Sequence, residues 1–285
     1  MDRERVLGVA FDELEHSYTS RDTILYALGV GLGYDPLDAG QLKYLNEANL
    51  QAMPSMGVVL AHPGFWLRYR DIGVCWEKIL HVSQDLEVHR PLVPDDTVVA
   101  RTRVIDVVDK GRDKGALITY GRTIRRKATG EVLCTVTQTV LARGDGGCGG
   151  PQRPSEKPRV MPDGEPSLVV DLPTVPQTAL IYRLSGDYNP LHVDPNTARV
   201  AGFDRPILHG LCTFGIACHA LLRSCCGYEA ARLRGMRARF SGIVYPGETI
   251  RTEIWQDGAA VAFRCSALER GIVVLNNGFA ELDHT

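Results

Sequence analysis

Two stretches far apart in the chain are written in nearly the same letters: ILYALGVG at Ile24–Gly31 and LIYRLSGD at Leu180–Asp187, with Tyr26 and Tyr182 aligned 156 residues apart. A second pair follows, PLVPDDTVVARTRV and GIVYPGETIRTEIW, with Pro94 and Pro246 aligned 152 residues apart. The two shifts differ only by a four-residue insertion, so the chain reads as one unit written twice. A period near 150 residues is far longer than the roughly 20–50 of stacked-repeat solenoids, so each copy is a domain with a core of its own. Between the copies lies RGDGGCGGPQRPSEKPRVMPDGEP, dense in glycine and proline and poor in apolar residues, which suits an irregular connector. The expected division is residues 1–143, a connector over 144–166, and residues 167–285.

Each copy ends in alternating runs rich in β-formers. They cover roughly 97–108, 116–126 and 131–142 in the first copy, and roughly 233–243, 247–256, 259–268 and 272–282 in the second. Ahead of the second set, PILHGLCTFGIACHALLRSCC (Pro206–Cys226) is apolar nearly all round, opens on proline and is followed by Gly227. That pattern predicts a helix without a polar face, which must be surrounded. The strands are the obvious wrapper, giving an α+β unit with a curved antiparallel sheet around a buried central helix.

Charge removes several classes of function. Lys and Arg number 32 against 34 Asp and Glu, a net charge of −2, so no basic surplus favours nucleic acid or a membrane surface. No run approaches the roughly 18 apolar residues of a membrane span. MDRERVLGVAFDELEH lacks the apolar stretch of a signal peptide, and ELDHT is not a peroxisomal address of the S-K-L type. The eight cysteines form no C-x-x-C pair, so zinc and dithiol motifs are not expected, and a reducing cytoplasm is. Cys212, Cys218, Cys225 and Cys226 fall within the apolar helix, where cysteine acts as a small hydrophobe.

Chemistry concentrates in YRLSGDYNPLH, Tyr182–His192, which sets Asp187, Asn189 and His192 within six residues. Each has an ordinary reading: an Asp after Gly caps a turn, a lone His packs in a core, and Asn-Pro starts a turn. Three features favour a site. Gly186 and Pro190 fix the backbone direction. Leu184, Leu191 and Val193 supply apolar neighbours that shield the polar groups from bulk water. In the first copy Gly31 stands where Asp187 would be, and YDPLD follows with no histidine. One copy keeps the acid–base pair and the other does not, a difference that a purely structural turn has less reason to show.

YRLSGDYNPLHVDPNTA resembles the signature of the type 2 enoyl-CoA hydratases, also called MaoC-like dehydratases, which have the hotdog fold. YTSRDTILYALGVG, LKYLNEAN and MPSMGVVLAHPG resemble the N-terminal half of the two-domain hydratase in multifunctional enzymes of peroxisomal type 2. ILHGLCTFG and ARFSGIVYPGETIRTEIW resemble its C-terminal half. Nearly the whole chain is covered apart from the connector. The resemblance implies a double hotdog that adds water syn to a trans-2-enoyl-CoA, giving the (R)-3-hydroxyacyl-CoA, or runs in reverse. It implies that His192 acts as base on the water, that Asp187 exchanges the proton at Cα, and that Asn189 positions one or both. Water is a poor nucleophile, and imidazole is the natural base near neutrality. The oxyanion donor that the family implies is the N–H of Gly210 in LHGL. Early helical N–H groups are unpaired and favour negative charge, though close helix–sheet packing is a second reading of that glycine.

For the CoA ester the resemblance implies contacts at His81, Val82 (where the family has glycine), Lys110 in VVDKG, Tyr188, and Phe240 in RARFSG. Lys110 also reads as a solvated turn lysine, and Phe240 as a sheet-core aromatic. His209 is expected to be structural and His219 buried. HVD at 192–194 has no third ligand nearby, so no metal is expected. Nor is any cofactor beyond the CoA of the substrate. The first copy, without the acid–base pair, is expected to accommodate the acyl chain, and the chain to pair as a homodimer. Two alternatives remain: a dehydratase for a specialised thioester (branched, steroid side chain, dicarboxylic or carrier-protein-bound), or a silent acyl-CoA-binding protein. The intact set of Asp187, Asn189, His192 and Gly210 argues against the latter.

Overall fold

The computed structural model describes residues 1–150 and 159–283. Residues 151–158 of the expected connector lie outside the described residues, and its described flanks, 144–150 and 159–166, carry no helix or strand. The strands are β1 (Glu13–Tyr18), β2 (Ile79–Val88), β3 (Asp96–Asp109), β4 (Ala116–Arg126) and β5 (Val132–Ala142) in the first half. The second half has β6 (Leu168–Pro173), β7 (Leu233–Phe240), β8 (Thr249–Asp257), β9 (Ala260–Ala267) and β10 (Ile272–Leu282).

All ten join in one antiparallel sheet ordered β1-β3-β4-β5-β2-β7-β10-β9-β8-β6. Counted inward from either edge, each half uses its own strands in the order first, third, fourth, fifth, second. The two second strands, β2 and β7, pair at the centre. In that pairing Asp85 lies opposite Arg237, 152 residues later, the same shift that aligned Pro94 with Pro246. The repeat is therefore a pseudo-twofold in space, with its axis through the β2–β7 ladder. The side-chain alternation expected of a sheet with one covered face is clear in β9, AVAFRCSA, where every second residue is buried.

The helix Gly210–Cys225 lies against this sheet with twelve of its sixteen residues buried. It begins four residues later than its apolar run predicts. Residues 207 and 208 use their backbone groups elsewhere: Leu208 N–H donates to the Val244 carbonyl at 2.7 Å, and the Ile207 carbonyl accepts from His192. Mid-helix Gly215 permits close approach of the first half, because a Cβ there would come within 2.5 Å of Val30 Cγ1. The halves are not equal. Among the described residues of 1–143 the longest helix is Ser20–Gly29, ten residues. The space between β2, β5 and the second half's helix holds instead the short buried 3-10 turn Pro54–Val58. Repeat-related Tyr26 and Tyr182 meet across the axis with ring centroids 5.9 Å apart. No helix among the described residues is long and apolar enough to cross a membrane.

Candidate active site

The Asp187 turn is built by consecutive side-chain caps. A 3-10 turn, Arg183–Ser185, ends at Gly186 with φ +118, a conformation that glycine adopts without a Cβ clash. Asp187 Oδ1 then accepts from Asn189 N–H at 3.1 Å, and Asn189 Oδ1 accepts from Leu191 N–H at 3.1 Å. Asn189 thus caps the turn Pro190–His192, with Pro190 at its first position, and its own side chain is exposed. Asp194 caps the next helix, Pro195–Val200, through Asn196 and Thr197. These local bonds shape the turn that carries Asp187 and His192.

One side-chain atom from each of Asp187, His192 and His209 lies within 4.8 Å of the other two. His192 is buried, and its Nδ1 is 2.8 Å from the Ile207 carbonyl. A carbonyl only accepts, so Nδ1 carries the hydrogen and Nε2 keeps its lone pair. Burial lowers the His192 pKa, opposed by the Asp187 carboxylate and the Ile207 carbonyl. The ring is consequently a neutral base with its acceptor nitrogen fixed.

His209, read from sequence as structural, stacks on His192 with centroids 3.7 Å apart and donates from Nε2 to the Asp187 carbonyl at 3.2 Å. Burial, then the neighbouring His192, push its pKa down to about 4. The trio meets the distance condition for a metal-ligand set. Each imidazole already has one nitrogen on a carbonyl, His192 Nδ1 on Ile207 and His209 Nε2 on Asp187, which leaves one nitrogen per ring for any ligand.

Gly210 is the first residue of the central helix, directly after His209. Neither its N–H nor that of Leu211 has an acceptor among the described residues, so both remain available to a ligand oxygen. Phe240 lies across the helix start: a Cβ on Gly210 would sit 3.1 Å from its ring. The same ring stands 4.5 Å from His81, whose Nε2 donates to the Ser83 carbonyl at 3.0 Å. Val82 occupies a bulge in the β2–β5 ladder that turns His81 toward Phe240. Burial holds His81 down at about 4, with Asp187 among its electrostatic neighbours.

The structure therefore gathers Asp187, His192, Gly210, His81 and Phe240. It does not bring in Lys110, which follows β3 at the same end of the sheet, three strands from β2 and roughly 14 Å away on strand spacing alone. Tyr188 is exposed, with the Arg183 guanidinium 4.8 Å from its ring centre. Sequence reading missed His62, a first-half residue whose pKa burial pushes down to about 3, with Arg122, Asp187 and His81 among its electrostatic neighbours. Its one signal in the sequence is a histidine set before Pro-Gly at the end of an apolar run.

Both halves of the chain match known proteins. Residues 158–277 match the model of the MaoC like domain, and residues 16–144 that of the MFE-2 hydratase 2 N-terminal domain. Enoyl-CoA hydratase ChsH3 of Mycobacterium tuberculosis is 39% identical over 98% of this chain and 97% of its own. Peroxisomal multifunctional enzyme type 2 of Mus musculus is 34% identical over 97% of this chain, which spans 38% of that longer protein. The crystal structure of a MaoC-like dehydratase from Phytophthora capsici superposes with a TM-score of 0.86, at 32% identity and 99% coverage of both chains. The ten-stranded sheet is thus a double hotdog, as the duplication implied. With both halves matched and full-length relatives on either count, this chain belongs to the MaoC-like, type 2 enoyl-CoA hydratase family.

Proposed function

We propose that this protein is an (R)-specific 2-enoyl-CoA hydratase, working equally as a 3-hydroxyacyl-CoA dehydratase. The observation that carries the reading is the Nδ1–H bond to Ile207, which leaves His192 Nε2 a lone-pair base beside Asp187 and the helix start. Nε2 takes a proton from water as the hydroxyl bonds Cβ of the enoyl thioester. The π electrons move toward the thioester oxygen, which Gly210 N–H and the helix dipole receive. The proton passes from the His192 imidazolium to the Asp187 carboxylate and on to Cα, closing the balance. Acid and base lie on one side of the site, so both new bonds form on one face, which is syn addition. Asn189 holds the turn that carries His192, and His81 with Phe240 forms the wall opposite the helix start.

The substrate is a CoA thioester in this reading, as the names of the relatives suggest, and no cofactor beyond that CoA enters the steps above. Residues 167–285 perform the chemistry, and residues 1–143, with a five-residue turn where the other half has its long helix, accommodate the acyl chain. Lys110 and Tyr188 lie farther out, where the CoA moiety would extend. Eight unpaired cysteines suit a reducing cytoplasm. Exposed Leu28 and its repeat mate Leu184 suit burial between two copies in a homodimer.

The test follows loss of enoyl-thioester absorbance with crotonyl-CoA and a long-chain enoyl-CoA. His192→Ala and Asp187→Asn should each lose about 100-fold or more in turnover while remaining folded. Near wild-type rates in both variants would sink the site assignment. Release of free CoA would move the protein to the thioesterases, and activity confined to four-carbon substrates would count against the role given to the first half.

A further inference from the structure

The outer face of the first half's sheet carries positive charge that its surroundings leave uncompensated. Along β3 and β4 side chains alternate between core and surface, with Thr102 and Ile124 buried and Arg101, Arg103 and Arg125 exposed. The ladder sets Arg101 opposite Thr123, Arg103 opposite Gly121 and Arg125 opposite Val99, so two neighbouring strands bring the three guanidinium groups to one area. There the surface sinks into a groove of about 350 Å³, in which Glu13 of β1 supplies the single carboxylate. Gly121 keeps its floor low, because a Cβ there would come 3.0 Å from Thr137 Oγ1 and 3.3 Å from Ile105 Cδ1. Ile105, 46% exposed, gives the groove an apolar side.

The second copy shows that the fold does not require this charge. Shifted by 152 residues, Arg101 corresponds to Glu253, which faces Arg264 across the β8–β9 ladder and accepts from it at 2.8 and 3.0 Å. Arg251, on the same outer face, is likewise paired with Asp171 at 2.8 and 2.7 Å. In the first half none of Arg101, Arg103 and Arg125 has an ion-pair partner among the described residues, and Arg125 makes one long bond, 3.4 Å to the Gly130 carbonyl. One copy neutralises its outer arginines internally, and the other leaves three of them around a recess.

Three guanidinium groups against one carboxylate leave the groove a net charge of +2. A phosphate monoester carries about −1.5 to −2 near pH 7 and presents three acceptor oxygens, which balances that charge. Guanidinium forks match phosphate oxygens with paired hydrogen bonds. The volume lies at the lower end of the roughly 300–1,000 Å³ of small-molecule sites, so the ester group is small.

We propose that this groove binds a phosphate monoester, with Arg101, Arg103 and Arg125 holding the phosphate and Ile105 packing against the ester group. The site lies on the face of the sheet away from the catalytic turn. Arg122, between Gly121 and Thr123 on β4, points the other way and donates to the Val58 and Leu60 carbonyls inside the fold. The assignment does not depend on the hydratase reading.

The test is calorimetric titration with phenyl phosphate, which should bind wild type at one site per chain with Kd about 1 mM or tighter. The double variant Arg103→Gln, Arg125→Gln should weaken binding about tenfold or more, since each loses a charge-assisted bond. Arg101→Glu, which installs the carboxylate of the repeat-related position, should abolish it. Arg251→Gln, the internally paired arginine, is the control and should leave Kd within about twofold. Thermal midpoints of all the variants should match wild type, because the replaced side chains are exposed. CoA, whose 3′-phosphate is a monoester, and dephospho-CoA serve as competitors. Competition by CoA alone assigns the groove to the nucleotide of CoA, and no competition by either assigns it to another phosphorylated compound. No saturable binding by wild type at about 10 mM phenyl phosphate overturns the proposal. So does a folded double variant, or Arg101→Glu, with wild-type affinity.

Discussion

Replacing Gly210 by proline deletes one N–H and little else. Gly210 is the first helical residue, where proline fits because its fixed φ is already helical and the position needs no intrahelical donor. His209 before it has φ −60 and ψ 134, the extended backbone that a residue preceding proline prefers. The Gly210 N–H has no acceptor among the described residues, so no internal bond is lost. The added Cβ would stand 3.1 and 3.3 Å from two ring carbons of Phe240, and that half-buried ring must yield by a few tenths of an ångström. Alanine at 210 makes the same contact and keeps the N–H, which makes it the control. An oxyanion donor of this kind contributes about 3–4 kcal/mol to the barrier, so kcat for Gly210→Pro should fall about 100- to 1,000-fold below that for Gly210→Ala. Crotonyl-CoA hydration reads the rate, and thermal midpoints confirm that the helix start survives in both variants. Equal kcat in the two would refute the placement of the thioester oxygen at this N–H.

Two further outcomes concern stability. Burial holds His62 at about 3 and His81, His209 and His219 at about 4, against an ordinary value of 6.5. Between pH 6.5 and about 4 the unfolded chain binds protons that the folded chain refuses, so stability is full above the upper limit and falls toward the lower one. Fully buried His219 alone should remove about 3 kcal/mol at pH 4, and urea midpoints that stayed level from pH 7 to pH 4.5 would contradict this. Separately, a Cβ on Gly40 would fall 2.2–2.9 Å from three ring carbons of Tyr228, and that buried ring lies tilted against Tyr44 with centroids 6.4 Å apart. Gly40→Ala should therefore cost about 1–3 kcal/mol in denaturant titrations.

Much of the fold was legible because its signals are local. The runs that became β3, β4, β5, β8, β9 and β10 alternate along their own length, and the central helix announces itself by apolar content. Its start at Gly210 rather than Pro206 was not legible, because Val244 and His192, far along or back in the chain, claim the backbone of Leu208 and Ile207. The unequal size of the two helical elements was also hidden, since a repeat visible in letters says nothing of a helix replaced by a five-residue turn. Asp187, Asn189 and His192 could be read together because caps bind them within one short segment. His209 comes to the site by tertiary packing, which leaves no spacing to detect. Tautomers stand furthest from the sequence: only the Ile207 carbonyl beside Nδ1 of His192 leaves Nε2 as its acceptor nitrogen.

The Asp85–Arg237 pairing at the central ladder has a bearing on how the chain is assembled. In a dimer of two identical chains, the residue on the rotation axis must face its own copy. Either half paired with itself through this strand would set aspartate against aspartate or arginine against arginine, and like charges directly opposite repel. Gene fusion lifts that requirement, letting the axial position carry opposite signs. The centre of the sheet thereby favours pairing of unlike halves, and each is released to specialise without its partner following.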